Sequence, residues 1–166
     1  MRIATFDLGK QLGWATFSDE TGHHTVRSGT LDLAQDTMRQ YESYTMRYVR
    51  LRRFLMTITG TTRVAFEAVR AHRRKGQKGH NVMAAQAYGG YKATLTAWAE
   101  EFEIPVEAFE VGDIKKRMTG KGNAGKEEMV AAATEVFSRR VEDDNEADAL
   151  GILLLVLDRE GIKLKV

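Results

Sequence analysis

The sequence predicts an α/β domain built on a mixed five-stranded sheet: a three-stranded antiparallel meander continued by parallel strands, with helices on both faces. Three observations carry that expectation. Three β-patterned runs fill the first 33 residues and are joined by short turns. Short apolar runs then alternate with stretches of helical spacing. The chain has 166 residues, 43% of them hydrophobic and 29% charged, which suits one soluble domain with a real core, spanning 1–166.

The elements follow in order. Residues 2–7 and 12–17 are apolar runs separated by "LGKQ", and Gly9 suits a tight hairpin. Gly22, with His23 and His24, makes the next turn, and Thr25–Leu33 is the third strand. Thr37–Gly60 has apolar residues at helical spacing and a closing glycine, so it reads as a helix. Arg63–Val69 is a short apolar strand. His80–Phe102 reads as one long Ala-rich helix, and Ile104–Val111 as a strand. Gly112–Gly120 is a short helix capped by Asp113; Asn123–Arg140 and the very apolar Asn145–Gly161 complete the helices.

Composition excludes several chemistries. The chain has no cysteine, which removes disulfide scaffolds, thiol catalysis and Cys-bound zinc, and fits a cytoplasmic protein. No apolar run is long enough to span a bilayer, and no secretory signal is evident, so no membrane partner is expected. Net charge is only +2, but the charge is clustered. Arg70, Arg73, Arg74, Lys75 and Lys78 stand with His72 and His80 in an acid-free run. Lys115, Lys116, Lys121 and Lys126 form a second basic group. Basic patches beside acidic ones are what an enzyme handling a polyanion needs.

Three acids lie in apolar settings: Asp7 at the end of the first strand, Glu67 in the fourth, and Asp148 in the last helix. A buried carboxylate is costly unless paired. Asp148 can share a helix face with Asp144 or Asn145. Adjacent strands crossed by a helix would bring these oxygens together, and converging carboxylates stay ionised only if a cation neutralises them. With no Cys and only four His, the ligand set is nearly all oxygen, which suits Mg²⁺ or Mn²⁺. Two such ions can activate a water and stabilise a leaving oxygen in phosphodiester hydrolysis.

"FDLGKQLGWA", "VAFEAV", "IKKRMTGKGNAGKEEM" and "DNEADALGI" resemble, in order and rough spacing, the motifs of RuvC-type Holliday junction resolvases of the ribonuclease H-like nuclease superfamily. Phage-encoded members are similar in length. The resemblance spans nearly the whole chain. It implies a homodimeric, metal-dependent endonuclease of branched DNA with two ions per site. Asp7, Glu67 and Asp148 would be metal ligands, and Lys115 and Lys126 would lie beside the scissile phosphate. A helicase partner is not specified. The sequence departs from the family twice. Asn145 stands where an acid is expected, with Asp144 next to it as a substitute. Arg and His follow Glu67 where an aromatic wedge is common. The Ala-rich helix could build the dimer contact, with Tyr91 and Trp98 filling the gap, or half of its stripe could pack on the chain's own sheet. Two other readings are a junction-binding protein without activity and an actin or sugar-kinase relative, though the latter needs a second lobe for which the chain has no residues.

Overall fold

The computed structural model describes residues 1–20, 22–34, 43–69 and 82–164. Five strands, β1 (Arg2–Asp7), β2 (Gln11–Glu20), β3 (His23–Asp32), β4 (Arg63–Ala68) and β5 (Val106–Glu110), form one sheet in the order β3-β2-β1-β4-β5. β1 pairs antiparallel with β2 and parallel with β4; β5 continues the parallel half. The expected mixed sheet is therefore present, with β1 at its centre. Five helices flank it: α1 (Met46–Leu55), α2 (Val82–Glu101), α3 (Val111–Thr119), α4 (Lys126–Val136) and α5 (Asp144–Arg159).

Alternation along the strands divides the core in two. Ile3, Ala15, Phe17, Ala65 and Phe109 face one side and are buried against α3, α4 and α5. Ala4, Phe6, Leu12, Val64 and Phe66 face the other, under α1 and α2 with Leu51, Leu55, Leu95 and Trp98. Each fully buried side chain of this size contributes about 1.5–3 kcal/mol, so both layers are needed to hold the sheet. Gly90 sets the spacing of α1 and α2: a Cβ there would lie 2.3 Å from the Tyr48 ring.

Several boundaries differ from the sequence reading. His23 and His24 are in β3, paired with Glu20 and Asp19, and Gly22, just before the strand, takes φ 82°. Cross-strand pairing extends both strands beyond their apolar runs. Among the described residues the helix expected over Thr37–Gly60 is α1, Met46–Leu55; Gly60 closes a turn after it, and 35–42 lie outside the described residues. Asp113 does not cap α3. The helix starts at Val111, directly after β5, with Glu110 at its N-cap, so Asp113 falls in the first turn. α4 is shorter than Asn123–Arg140, and α5 begins at Asp144 with Asp143 as its cap. Tyr91 and Trp98 are 2% and 4% exposed within the chain's own core, so they do not fill a gap between subunits.

Candidate active site

β1 and β4 are parallel neighbours in the register Phe6↔Phe66, so Asp7 and Glu67 leave the same end of the sheet side by side. Both follow the odd-numbered face of their strands, shared by Ile3 and Ala65, which is the face covered by α5. The site thus arises where the two central strands end beneath one helix.

Two rows of residues across the sheet seat that helix. In the first row Asp7 pairs with Gly13 and Gly13 with Thr30. The first turn of α5 lies along it. Thr30 Oγ1 donates to Asp143 Oδ1 at 2.7 Å, and the Asp143 carboxylate also accepts from the Glu146 N–H at 2.9 Å, capping the helix. A Cβ on Gly13 would sit 1.9 Å from the Asn145 carbonyl oxygen, so only glycine admits the helix backbone at this point. In the second row Thr5, Ala15 and Ser28 are paired. Thr5 Oγ1 donates to the Ala149 carbonyl at 2.8 Å. Ser28 Oγ donates to Glu146 Oε1 at 2.5 Å. Glu146, only 2% exposed, also accepts from Arg139 Nη1 at 3.1 Å and from the Glu142 N–H at 2.9 Å, so its buried charge is fully partnered.

This seating carries Asp144 and Asp148, one helical turn apart, to the carboxylates of β1 and β4. Three of these acids, Asp7, Glu67 and Asp148, are held above the ordinary carboxylate range. Burial pushes the Asp7 carboxyl well above the ordinary carboxylate range, and the charges of Glu67, Asp148 and Asp144 push it further. Burial and then the Asp148 charge raise Glu67 to about 7, opposed by the Lys115 ammonium. Asp148 is raised to about 6 by burial, with Lys115 opposing. Among the described residues no three His, Asp or Glu side chains are closed up into a preformed ligand set. The acids are in electrostatic reach of one another without touching.

The donor set suits a hard divalent cation. Every candidate donor is an oxygen, and Asp148 Oδ1 is buried without a hydrogen-bond partner among the described residues, leaving a lone pair free for such an ion. Asp144 is ion-paired with Lys126, the first residue of α4, whose ammonium is drawn toward the charges of Asp148 and Asp7 as well. Against burial, which raises it, hydrogen bonds from the Glu146 N–H, the Thr30 hydroxyl and the Asn145 side chain hold the Asp143 carboxyl below its ordinary value. Lys115, half-buried, donates to the Ala124 carbonyl at 2.7 Å and lies near Glu67 and Asp148. Lys121 pairs with Glu128 at 3.0 Å, and Lys116 is exposed. Arg70, His72, Arg73, Arg74, Lys75 and Lys78 lie outside the described residues.

Sequence reasoning missed the residues that seat α5. Gly13 had a signal, since a glycine inside a strand marks a close backbone approach. Ser28, Thr30, Arg139 and Glu146 had none, because their partners are more than a hundred residues away or lie in an irregular segment.

No family model matches the chain, and no curated protein matches it by sequence. Solved structures do. Thermus thermophilus RuvC superposes with a TM-score of 0.68 at 22% identity, covering 97% of both chains. T. thermophilus RuvC in complex with Holliday junction substrate gives 0.70 at 21% identity, covering 97% of this chain and 96% of that one. The yeast mitochondrial Holliday junction resolvase Ydc2 gives 0.60 at 15% identity, over 92% of this chain and 75% of that one. The fold is therefore the ribonuclease H-like fold of these resolvases, and no helix among the described residues is long and apolar enough to cross a membrane.

Proposed function

We propose that this chain, which shares the RuvC fold over nearly its full length, is a metal-dependent endonuclease that resolves Holliday junctions and other branched DNA. The observation that carries the reading is the convergence of Asp7, Glu67 and Asp148, with Asp144, at one end of β1 and β4, with raised carboxyl pKa values and an unpartnered buried oxygen on Asp148.

Asp7, Glu67, Asp148 and Asp144 would hold Mg²⁺ or Mn²⁺, two ions per site, with Asp144 taking the place that Asn145 leaves uncharged. When bound, the cations supply an activated water and neutralise charge on the phosphate. The chain's own groups do the rest. Asp7, in the centre, is the carboxylate coupled to all the others. Lys115 is held by the Ala124 carbonyl beside Glu67 and Asp148, where its ammonium favours the charge that grows on the phosphoryl oxygens. Lys126, ion-paired with Asp144 in the absence of metal, would have its ammonium free for the phosphate when Asp144 holds a cation, and the free N–H groups opening α4 favour the same anion. Water adds to phosphorus, the bond to the 3′ oxygen breaks, and a 5′-phosphate and a 3′-hydroxyl result. The basic run from Arg70 to Lys78, with Lys116 and Lys121, holds the DNA arms by phosphate contacts. A homodimer would place two such sites on the two strands of a junction, in a bacterial cytoplasm, its own or a phage-infected one, serving recombination and repair or debranching of phage DNA.

Incubation with a synthetic four-way junction and Mg²⁺ or Mn²⁺, with Asp7→Asn as control, tests the reading. Paired nicks near the crossover are expected from the wild type and none from the variant. Tight binding with no product from the wild type would make this a junction-binding protein and overturn the assignment.

A further inference from the structure

On the opposite side of the sheet rim from the acids lies a groove of about 380 Å³ that the catalytic reading does not use. Leu8, Gly9 and Lys10 form its floor at the β1–β2 turn; Tyr44 and Arg47 line one wall, Met83 and Tyr88 the other. Two links tie it to the acid cluster. Its floor starts at the residue after Asp7. Its wall is pinned to the exit of β4: Tyr88 Oη donates to the Glu67 carbonyl at 2.9 Å and accepts from the Val69 N–H at 3.1 Å.

The lining combines flat apolar surface with positive charge. The Arg47 guanidinium stacks 3.4 Å over the Tyr44 ring while its Nε donates to the Tyr44 carbonyl at 2.9 Å, so the ring is held rigidly on one face. Tyr44 is 38% exposed and Met83 59%. Lys10 and Arg47 supply cations, and no acid is among the described residues that line the groove. We infer that this groove is a subsite for an unpaired nucleotide of the branched DNA, next to the phosphate held by Asp7 and Glu67, its base stacking on Tyr44 and Met83 and its phosphate facing Lys10 and Arg47. The inference rests on the nuclease reading: a strand crossing the rim with one phosphate on the acids puts its neighbouring nucleotide here.

The test is binding, in EDTA, of a four-way junction carrying 2-aminopurine beside the crossover, and of a linear duplex of the same sequence. Stacking in the groove quenches the probe when wild-type protein binds. Tyr44→Ala and the exposed Met83→Glu lose the quench and about 10-fold in junction affinity, with duplex affinity and unfolding midpoint unchanged. An unaltered quench overturns the subsite, as does an equal loss on junction and duplex. A shift of Met83→Glu to a smaller species in size-exclusion chromatography also overturns it, by making the groove a contact between copies of the chain. Cleavage in Mg²⁺ is read separately. A wild type that cuts while the variants quench normally overturns the subsite alone. A wild type that never cuts overturns the nuclease reading, and the quench then judges the groove by itself.

Discussion

Replacing Gly13 by alanine adds one methyl group and should cost most of the activity. The new Cβ would lie 1.9 Å from the Asn145 carbonyl oxygen and 2.4 Å from its carbon, both backbone atoms that no rotamer change can move. Ordinary contact begins at 3.4 Å, so the first turn of α5 must retreat by about 1.5 Å. The Asp143–Thr30 and Glu146–Ser28 hydrogen bonds, at 2.7 and 2.5 Å, cannot follow that shift intact. Forced overpacking of this kind costs about 1–3 kcal/mol, and a displacement near 1 Å at a reacting centre costs about 100-fold in rate. Urea unfolding gives the first quantity and single-turnover junction cleavage the second. Gly89→Ala is the control: its Cβ meets nothing within 4 Å, and the change should stabilise the exposed helix α2 by about 0.5–1 kcal/mol with no effect on cleavage. Wild-type stability and rate in Gly13→Ala would show that the α5–β2 contact does not position the acids.

Stability without metal should fall as pH rises. The folded carboxyls of Asp7, Glu67 (about 7) and Asp148 (about 6) hold protons to higher pH than they would in the unfolded chain, so the native state binds more protons between about pH 4 and pH 7 and loses stability across that window. The loss, discounted for partial solvent screening, is about 2 kcal/mol. Mg²⁺ should therefore raise the Tm clearly at pH 8 and hardly at pH 5, and an equal rise at both would sink the cluster as the binding site. Glu146→Gln leaves the part-exposed Arg139 guanidinium facing a neutral amide and should cost about 1–2 kcal/mol; the double variant with Arg139→Met should regain part of it in the same urea titration. Lys126→Ala frees Asp144 of its ion pair, so Mn²⁺ affinity should hold or rise while the cleavage rate falls, and a loss of both would place Lys126 in a structural role.

The sheet and the acids were legible because they are written locally. Alternating apolar residues mark β1 and β2, and a lone carboxylate ending an apolar strand announces itself in Asp7 and Glu67 without any partner being known. Asp148 follows from helical spacing to Asp144. What was not legible depends on long-range contact. Tyr91 and Trp98 lie on an Ala-rich helix that suits a subunit contact as well as a core, and only the arrival of α1, with Tyr48 over Gly90, decides between them. Asp113 reads as a cap in isolation, but the chain passes from β5 into α3 without a loop and the cap falls three residues sooner, at Glu110. Ser28 and Thr30 read as ordinary polar residues of an edge strand until α5 is laid across them.

The hydrogen bond from Thr5 to Ala149 joins residues 144 positions apart. The acidic site is made in the same way, one wall from the first strand and the other from the final helix. During synthesis the sheet can pair and α1 and α2 can cover one side of it while Asp7 and Glu67 still have no Asp148 above them. Closing so long a loop comes late in folding. An incomplete chain therefore carries the acids of its first strands but not those of α5, and the cluster is completed only after that helix has docked.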